Sequence, residues 1–393
     1  MDSFDVIILG AGAAGMMCAL TAGQRGRRVL LLEHATVAGE KIRISGGGRC
    51  NFTNLNCTPA NFLSANPQFC ISALKSYTPQ DFLALIEAHG IAWHEKAAGQ
   101  LFCDGSAQQV VDLLIDECAA AGVKLMLGTQ IVSVAQADAG YVVETNRGRY
   151  SSAALVVASG GRSIPKIGAT GLAYDLALQF GLSVVTPYPG LVPLIFAPEL
   201  RANLTELSGV ATTAEVSCGK ASFRDAVLFT HRGLSGPAIL QISSYWPAGA
   251  ALTLDLAPDD DVYALLRQAR AAQGRQLPAT VLAQVLPRRL AQRLAASVGC
   301  AESHLAELSD RTLTLLAAAV KAWSVTPDGS EGFRKAEVTV GGVATHALSS
   351  RDLQVRSMPG LFFVGEAVDV TGHLGGHNFQ WAWSSGHAAG VAV

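Results

Sequence analysis

A glycine triplet set between two apolar runs constrains this chain more than any other feature. Residues 5–9 (Asp-Val-Ile-Ile-Leu) are the continuous apolar stretch expected of a parallel strand buried on both faces. Gly10-x-Gly12-x-x-Gly15 follows, then an Ala/Met/Leu-rich helix closing near Gly26, then a second strand at 28–33 ending on Glu33. A lone Gly-x-Gly-x-x-Gly is weak evidence. One that follows a strand, opens a helix and has an acid eighteen residues later meets the dinucleotide-binding context. Gly10 serves the tight turn, Gly12 lets backbone touch a pyrophosphate, and Gly15 lets helix and strand pack closely. The helix N-terminus, with Ala13 and Ala14, presents amide donors to phosphate, and Glu33 faces the adenosine ribose.

The next segment favours FAD over NAD. Lys41-Ile-Arg-Ile-Ser45-Gly46-Gly47-Gly48-Arg49-Cys50-Asn51 is an amide-rich cradle with cationic ends, suited to the remainder of an extended dinucleotide. The far end supplies the complement. A buried strand ends in Gly365-Glu366, and Asp369, Gly372 and Gly375-Gly376-His377-Asn378 lead into an aromatic helix with Phe379, Trp381 and Trp383. A carboxylate there would hold the ribitol, and the helix N-terminus would face the flavin N1–C2=O edge. The cofactor-binding set is therefore Gly10, Gly12, Ala13, Ala14, Gly15, Glu33, His34, Lys41, Ser45, Gly46, Gly47, Arg49, Cys50, Asn51, Ile131, Gly160, Gly161, Gly365, Glu366, Asp369, Gly375, Gly376, Asn378 and Phe379. The catalytic candidates are His377, as a proton donor, and Cys50, as an acid or thiol nucleophile.

At 393 residues the chain is too long for one core. Half the residues are hydrophobic and 15% are charged, which excludes a disordered chain. Helices are expected at 78–90 and 107–122, and strands at 123–134, 141–145 and 154–158. Beyond Pro187 prolines and short alternating strands replace this pattern, and from 259 it turns helical. The fold class is α/β: a discontinuous Rossmann-type FAD domain (1–188 and 335–393) with an inserted β-rich, barrel-like subdomain (189–258) and a helical subdomain (259–334), the insert covering the flavin. Eight cysteines with no Cys-x-x-Cys pair suit free thiols in a reducing cytosol. No metal-like histidine spacing, signal peptide or apolar run of membrane-spanning length is seen, so a cytoplasmic protein with no metal and no membrane is expected.

These segments resemble the BaiN/YhiN-type family of FAD-dependent oxidoreductases. The resemblance rests on the opening fingerprint, Ser45-Gly-Gly-Gly-Arg-Cys-Asn51, Gly160-Gly161-Arg-Ser-Ile-Pro165 with Gly168-Ala-Thr-Gly171, and Phe229-Thr-His-Arg-Gly-Leu-Ser-Gly-Pro237. Val338-Thr-Val-Gly-Gly-Val343 and the stretch from Gly365-Glu366 to Gly386 complete it, in order over nearly the whole chain. It implies a discontinuous FAD domain with a β-barrel-plus-helical insert, and hydride transfer to electron-poor C=C bonds, in steroid-like enones or in uracil of ribosomal RNA. Two departures stand out: Ser159 occupies a usual Thr position, and residues 353–358 read Leu-Gln-Val-Arg-Ser-Met.

The residues leave three readings open. The first is a reductase of an enone-like small molecule or of RNA uracil, with NAD(P)H as a transient electron donor because only one dinucleotide fingerprint is present. The others are an amine or small-substrate oxidase or dehydrogenase, and a flavin-holding RNA-binding or regulatory protein. His373, His231 and Ser235 are further pocket candidates. Between residues 262 and 301 six arginines (267, 270, 275, 288, 289 and 293) occur with no Asp or Glu, a pattern suited to RNA phosphates. Oligomeric state is not readable.

Overall fold

The opening apolar run forms the strand Asp2–Leu9, whose last four residues are buried. In the computed structural model, which describes residues 2–393, it lies inside a sheet whose parallel strands run in the order Lys124–Met126, Val29–Leu32, Asp2–Leu9, Gly148–Val157 and Leu361–Phe363. Gly148–Val157 is a forked strand. Its first half pairs antiparallel with Gly140–Thr145, which continues to Ile131–Ala137. Its second half takes Leu361–Phe363 as a parallel neighbour, Val157 opposite Phe363. That pairing is how the two ends of the chain become one sheet. The expected strand at 123–134 is instead two, because Gly128 takes a left-handed conformation (φ 63°) and lets the chain reverse into the antiparallel meander.

The first helix, Ala13–Gln24, and the closing helix, His377–Ala392, are both buried along most of their length. They pack backbone to backbone. A Cβ on Gly386 would lie 2.3 Å from the Ala14 carbonyl oxygen. Trp381 and Trp383 are packing residues, their indole N–H groups bonded to the carbonyls of Gly365 (3.0 Å) and Phe52 (2.8 Å).

The chain divides into two compact units: one runs from the N-terminus to Pro189 and resumes at Val338–Val393, the other is Gly190–Glu337. The second unit holds an antiparallel sheet in the order Trp323–Val325, Leu252–Asp255, Ala211–Cys218, Ala221–Phe229, Gly233–Ser235, Leu194–Ile195, Gly329–Ser330. Only residues 326–328 separate its first and last strands in sequence, so the sheet curls back towards itself as a barrel does. The helices Val262–Gln273, Pro278–Leu282, Arg288–Ser297 and Asp310–Lys321 are an excursion between two paired strands, Leu252–Asp255 and Trp323–Val325. Sheet and helices share one hydrophobic core. The division expected at 258/259 is corrected accordingly: 323–330 return to the sheet, and the helices have no core of their own.

Candidate cofactor and active site

The register of the parallel sheet gathers the sequence candidates. Leu9 pairs with both Leu32 and Val157, and Val157 with Phe363. The segments that follow, at Gly10, Glu33, Ser159–Gly161 and Gly365–Glu366, therefore emerge side by side at the carboxyl ends of the strands, where open α/β sheets bind ligands. The three fingerprint glycines are there for different reasons. Gly10 (φ 107°) turns the chain against residue 158, and a Cβ on Gly15 would lie 1.9 Å from the Gly10 carbonyl oxygen. A Cβ on Gly12 would meet nothing within 4 Å. The space beyond Gly12, at the N-terminus of a helix with no side-chain cap and no acid in its first turn, is where an anion is favoured.

The Glu33 carboxylate accepts the Ala11 N–H (2.8 Å) and the Ala35 N–H (2.9 Å), and His34 Nδ1 lies 2.9 Å from it. Its remaining lone pairs leave acceptor capacity for ribose hydroxyls. Ile131 pairs with Thr145 in the meander, and its link to this region is indirect: Thr129 donates its N–H to the Glu33 carbonyl at 2.8 Å.

The glycine loop is a chain of left-handed residues. Gly46, Gly47, Gly48 and Cys50 have φ of 56°, 68°, 86° and 49°. Cβ atoms on Gly47 and Gly48 would meet open space, whereas one on Gly46 would strike the Asn51 nitrogen and the Phe102 ring. Ser45 Oγ donates to the Ile42 carbonyl at 2.7 Å, and Arg49 is exposed. Cys50 is fully buried, and burial pushes its thiol up to about 12. Of the two roles expected at Cys50, the nucleophile is corrected, because at neutral pH this thiol is protonated, and the acid role has to contend with a side chain sealed from solvent.

Glu366, expected at the ribitol, is engaged within the protein. It forms an ion pair with Lys41 and accepts Ser163 Oγ–H and the Thr339 N–H, each at 2.8 Å. Lys41 also donates to Ser163 Oγ at 2.7 Å. Thr339 Oγ1 accepts the N–H groups of Arg162 (2.8 Å) and Ser163 (3.1 Å), and a Cβ on Gly161 would overlap it. Sequence reasoning assigned no role to Ser163 or Thr339. Both stood inside motifs it singled out, but their convergence on Glu366 is a long-range contact that no local pattern encodes.

The closing helix starts at His377 after Gly375 (φ 108°) and Gly376 (φ 94°). A Cβ on Gly376 would collide with the Thr53 carbonyl, and one on Gly375 with Gln100, a further residue the sequence did not point to. The Asn378 side chain is structural: it accepts the Gly372 N–H and donates to the Gly372 carbonyl, both at 2.8 Å. Phe379 stacks on Trp383, and Asp369 is buried, accepts the Ala65 N–H at 3.0 Å and has its carboxyl raised by burial. His377 is buried with Nδ1 unpartnered, edge-on to His373 at 6.3 Å between ring centroids. Burial, and then His373, lower its pKa to about 4, so it is a neutral imidazole at pH 7. His231 and Ser235 lie in the other unit, on and after a tight turn closed by Thr230 N–H to the Gly233 carbonyl (2.8 Å).

Ser159 Oγ, just after the strand Gly148–Val157, and His377 Nδ1, at the start of the closing helix, are buried polar atoms that lack partners among the described residues. Together with the open space above Gly12, Gly47 and Gly48, they fit an extended polar ligand with a pyrophosphate at the first helix. No group of three or more His, Cys, Asp or Glu among the described residues could hold a metal ion, and no helix among them is long and apolar enough to cross a membrane.

The family described as HI0933-like protein Rossmann domain matches residues 4–392. The chain belongs to this family. It is an FAD-dependent oxidoreductase, which agrees with the resemblance read from its motifs. It is 49% identical over 389 residues to the ribosomal RNA dihydrouridine synthase of Escherichia coli (strain K12), covering 99% of this chain and 97% of that protein. It is 27% identical over 403 residues to the 3-dehydro-bile acid delta(4,6)-reductase of Clostridium scindens, covering 98% of each. Among solved structures, 3-ketosteroid delta1-dehydrogenase from Sterolibacterium denitrificans has the same fold, with a TM-score of 0.54 at 15% identity, covering 100% of this chain and 99% of that one.

Proposed function

We propose that this FAD enzyme reduces the C5=C6 bond of uracil in ribosomal RNA to dihydrouracil, drawing electrons from NAD(P)H. The observation that carries the reading is the near-complete, 49% identical match to a ribosomal RNA dihydrouridine synthase. The chemistry is consistent with it. C6 of uracil is conjugated to the C4 carbonyl and is electron-poor, so it accepts a hydride, and C5 of the resulting enolate then takes a proton delivered from solvent. The bound flavin supplies the hydride. The protein's part is to hold the cofactor through the amides of Gly12 to Gly15, the Glu33 carboxylate and the amides of the glycine loop. His377 acts as a neutral hydrogen-bonding group beside the reacting face, because its low pKa leaves it no excess proton at pH 7.

The test is to incubate the holoenzyme with NADPH and unmodified, transcribed ribosomal RNA, and to digest the RNA for mass spectrometry. A uridine that gains two hydrogens supports the reading, and its absence despite flavin reduction by NADPH refutes it. The 27% match to a bile-acid reductase favours a second reading, reduction of an enone-like small molecule. That reading is supported if NADPH oxidation is stimulated by an enone and not by RNA.

A further inference from the structure

We infer that the helical excursion of the insert, from Val262 to Ser297, is a docking surface for RNA backbone phosphates, contacted by Arg275, Arg288 and Arg293. This rests on the RNA reading above and names the surface that would serve it. Every Lys, Arg, Asp or Glu between 262 and 301 is an arginine, in a chain whose formal net charge is −2. The face is therefore not a by-product of a basic protein. The helix Pro278–Leu282 packs against both Val262–Gln273 and Arg288–Ser297, so the three helices form one packed group.

The six arginines divide by what they hold. Arg270 donates to the Leu308 carbonyl at 2.9 Å and pairs with Asp310. Arg289 donates to the carbonyls of Glu206 (2.8 Å) and Ser208 (3.4 Å), and Arg267 lies over the Tyr263 ring. Arg275, Arg288 and Arg293 have no hydrogen bond or ion pair among the described residues, and the first two are exposed. Of the nearby acids, Glu307 accepts the His304 N–H and Asp310 is held by Arg270, while Glu206 and Glu302 are exposed.

The position of Arg288 carries the argument further. With Arg289 it opens the helix Arg288–Ser297, whose first turn has no acid. A helix N-terminus is the positive end of the peptide dipole, and fold stability alone favours acids there. A phosphate bound at that end turns this repulsion into attraction from both the guanidinium and the helix. The other exposed residues of 262–301 are glutamines, alanines, Thr280, Ser297 and Gly299. None has the bulky apolar side chain that a membrane-surface helix inserts. Glutamine and serine hydrogen-bond sugar hydroxyls, and arginine both grips phosphate and stacks on bases.

The experiment compares wild-type holoenzyme with an R275Q/R288Q/R293Q variant, titrating transcribed ribosomal RNA at several salt concentrations. Both retain FAD, whose candidate ligands lie in the other unit. In the variant the slope of log affinity against log salt should fall by about 2, at ~0.7 per lost contact, with affinity down roughly tenfold or more at low salt. KM for RNA should rise while kcat is unchanged. An unchanged slope overturns the proposal. So does an equal loss in a control lacking Arg147, Arg149 and Arg351, or competition by polyglutamate as strong as by RNA, which would mark a face for an acidic protein. Arginine-dependent binding by wild type that yields no dihydrouridine supports the docking surface and refutes the proposed reaction; dihydrouridine with unaltered binding in the variant does the reverse.

Discussion

Lys41 and Glu366, 325 residues apart in the chain, form an ion pair that Ser163 bridges by donating to Glu366 and accepting from Lys41. The pair ties the glycine loop to the last parallel strand, and hence one end of the chain to the other. Both side chains are mostly shielded from solvent, at 34% and 20% exposed. A double-mutant cycle of K41M and E366Q, read by urea unfolding of the apoprotein, should give a coupling energy of about 1–2 kcal/mol. Additive effects would mean that the two ends are held by the sheet pairing and the packing of the first and closing helices, without this ion pair.

Gly12 and Gly15 share a fingerprint and should fail differently. A Cβ at Gly12 meets no protein atom within 4 Å, so G12V should fold with a near-native melting curve and bind no FAD. At Gly15 a Cβ would lie 1.9 Å from the Gly10 carbonyl oxygen, so G15A should lose the fold itself, by more than the ~1–3 kcal/mol typical of overpacking. Circular dichroism and the flavin released on denaturation separate the two. A folded G12V protein that still carries FAD would remove the pyrophosphate from this position.

The prediction for Cys50 is chemical inertness. Its thiol is buried and raised to about 12, so native protein should leave it unalkylated by iodoacetamide at pH 8 while denatured protein reacts. C50A should keep kcat within roughly twofold of wild type, because the sealed thiol is neither a thiolate nucleophile nor open to substrate as an acid. Rapid native labelling, or a large fall in kcat with FAD retained, would restore a reactive role.

Much of this site was legible in sequence because its determinants are local. A strand, a turn whose glycines are required by sterics, and an acid at the next strand end fall within the first 33 residues. The return of the chain at Leu361–Phe363 was legible from its apolar run. What stayed hidden depends on contacts across the fold. The roles of Ser163 and Thr339 arise only when the sheet brings 160–163 beside 338–343 and 366. The burial of Cys50 follows from a left-handed loop that has no periodicity to read. The short strand Trp323–Val325 is defined by its partner Leu252–Asp255, so the helical excursion looked like a domain of its own.

His377 makes a pH dependence of stability. Its folded pKa is lowered from 6.5 to about 4, so the unfolded chain binds the proton more readily between those values. Stability from this group is therefore full above about pH 6.5 and is lost as pH falls towards 4, by up to about 3 kcal/mol. Urea midpoints of apoprotein at pH 7 and pH 5 should differ more in wild type than in H377Q. Identical pH dependence in the two would mean that His377 is solvated in solution.

At the proposed site, a neutral His377 would leave negative charge on the reduced flavin to be held by other groups. No acid occupies the first turn of the closing helix, and its N-cap, Gly376, offers no side chain. Stabilisation must then come from the helix's first amides and its dipole, not from an imidazolium. The reduced cofactor should be anionic at pH 7, and its spectrum should remain so in H377Q. N378D should oppose it, placing a carboxylate in the first turn and removing the donor that holds the Gly372 carbonyl. Its midpoint potential should fall by about 30 mV for each 1.4 kcal/mol of lost stabilisation in this two-electron couple. Spectroelectrochemistry measures both quantities. A neutral reduced flavin in wild type, or an unchanged potential in N378D, would mean that the helix end does not face the ring.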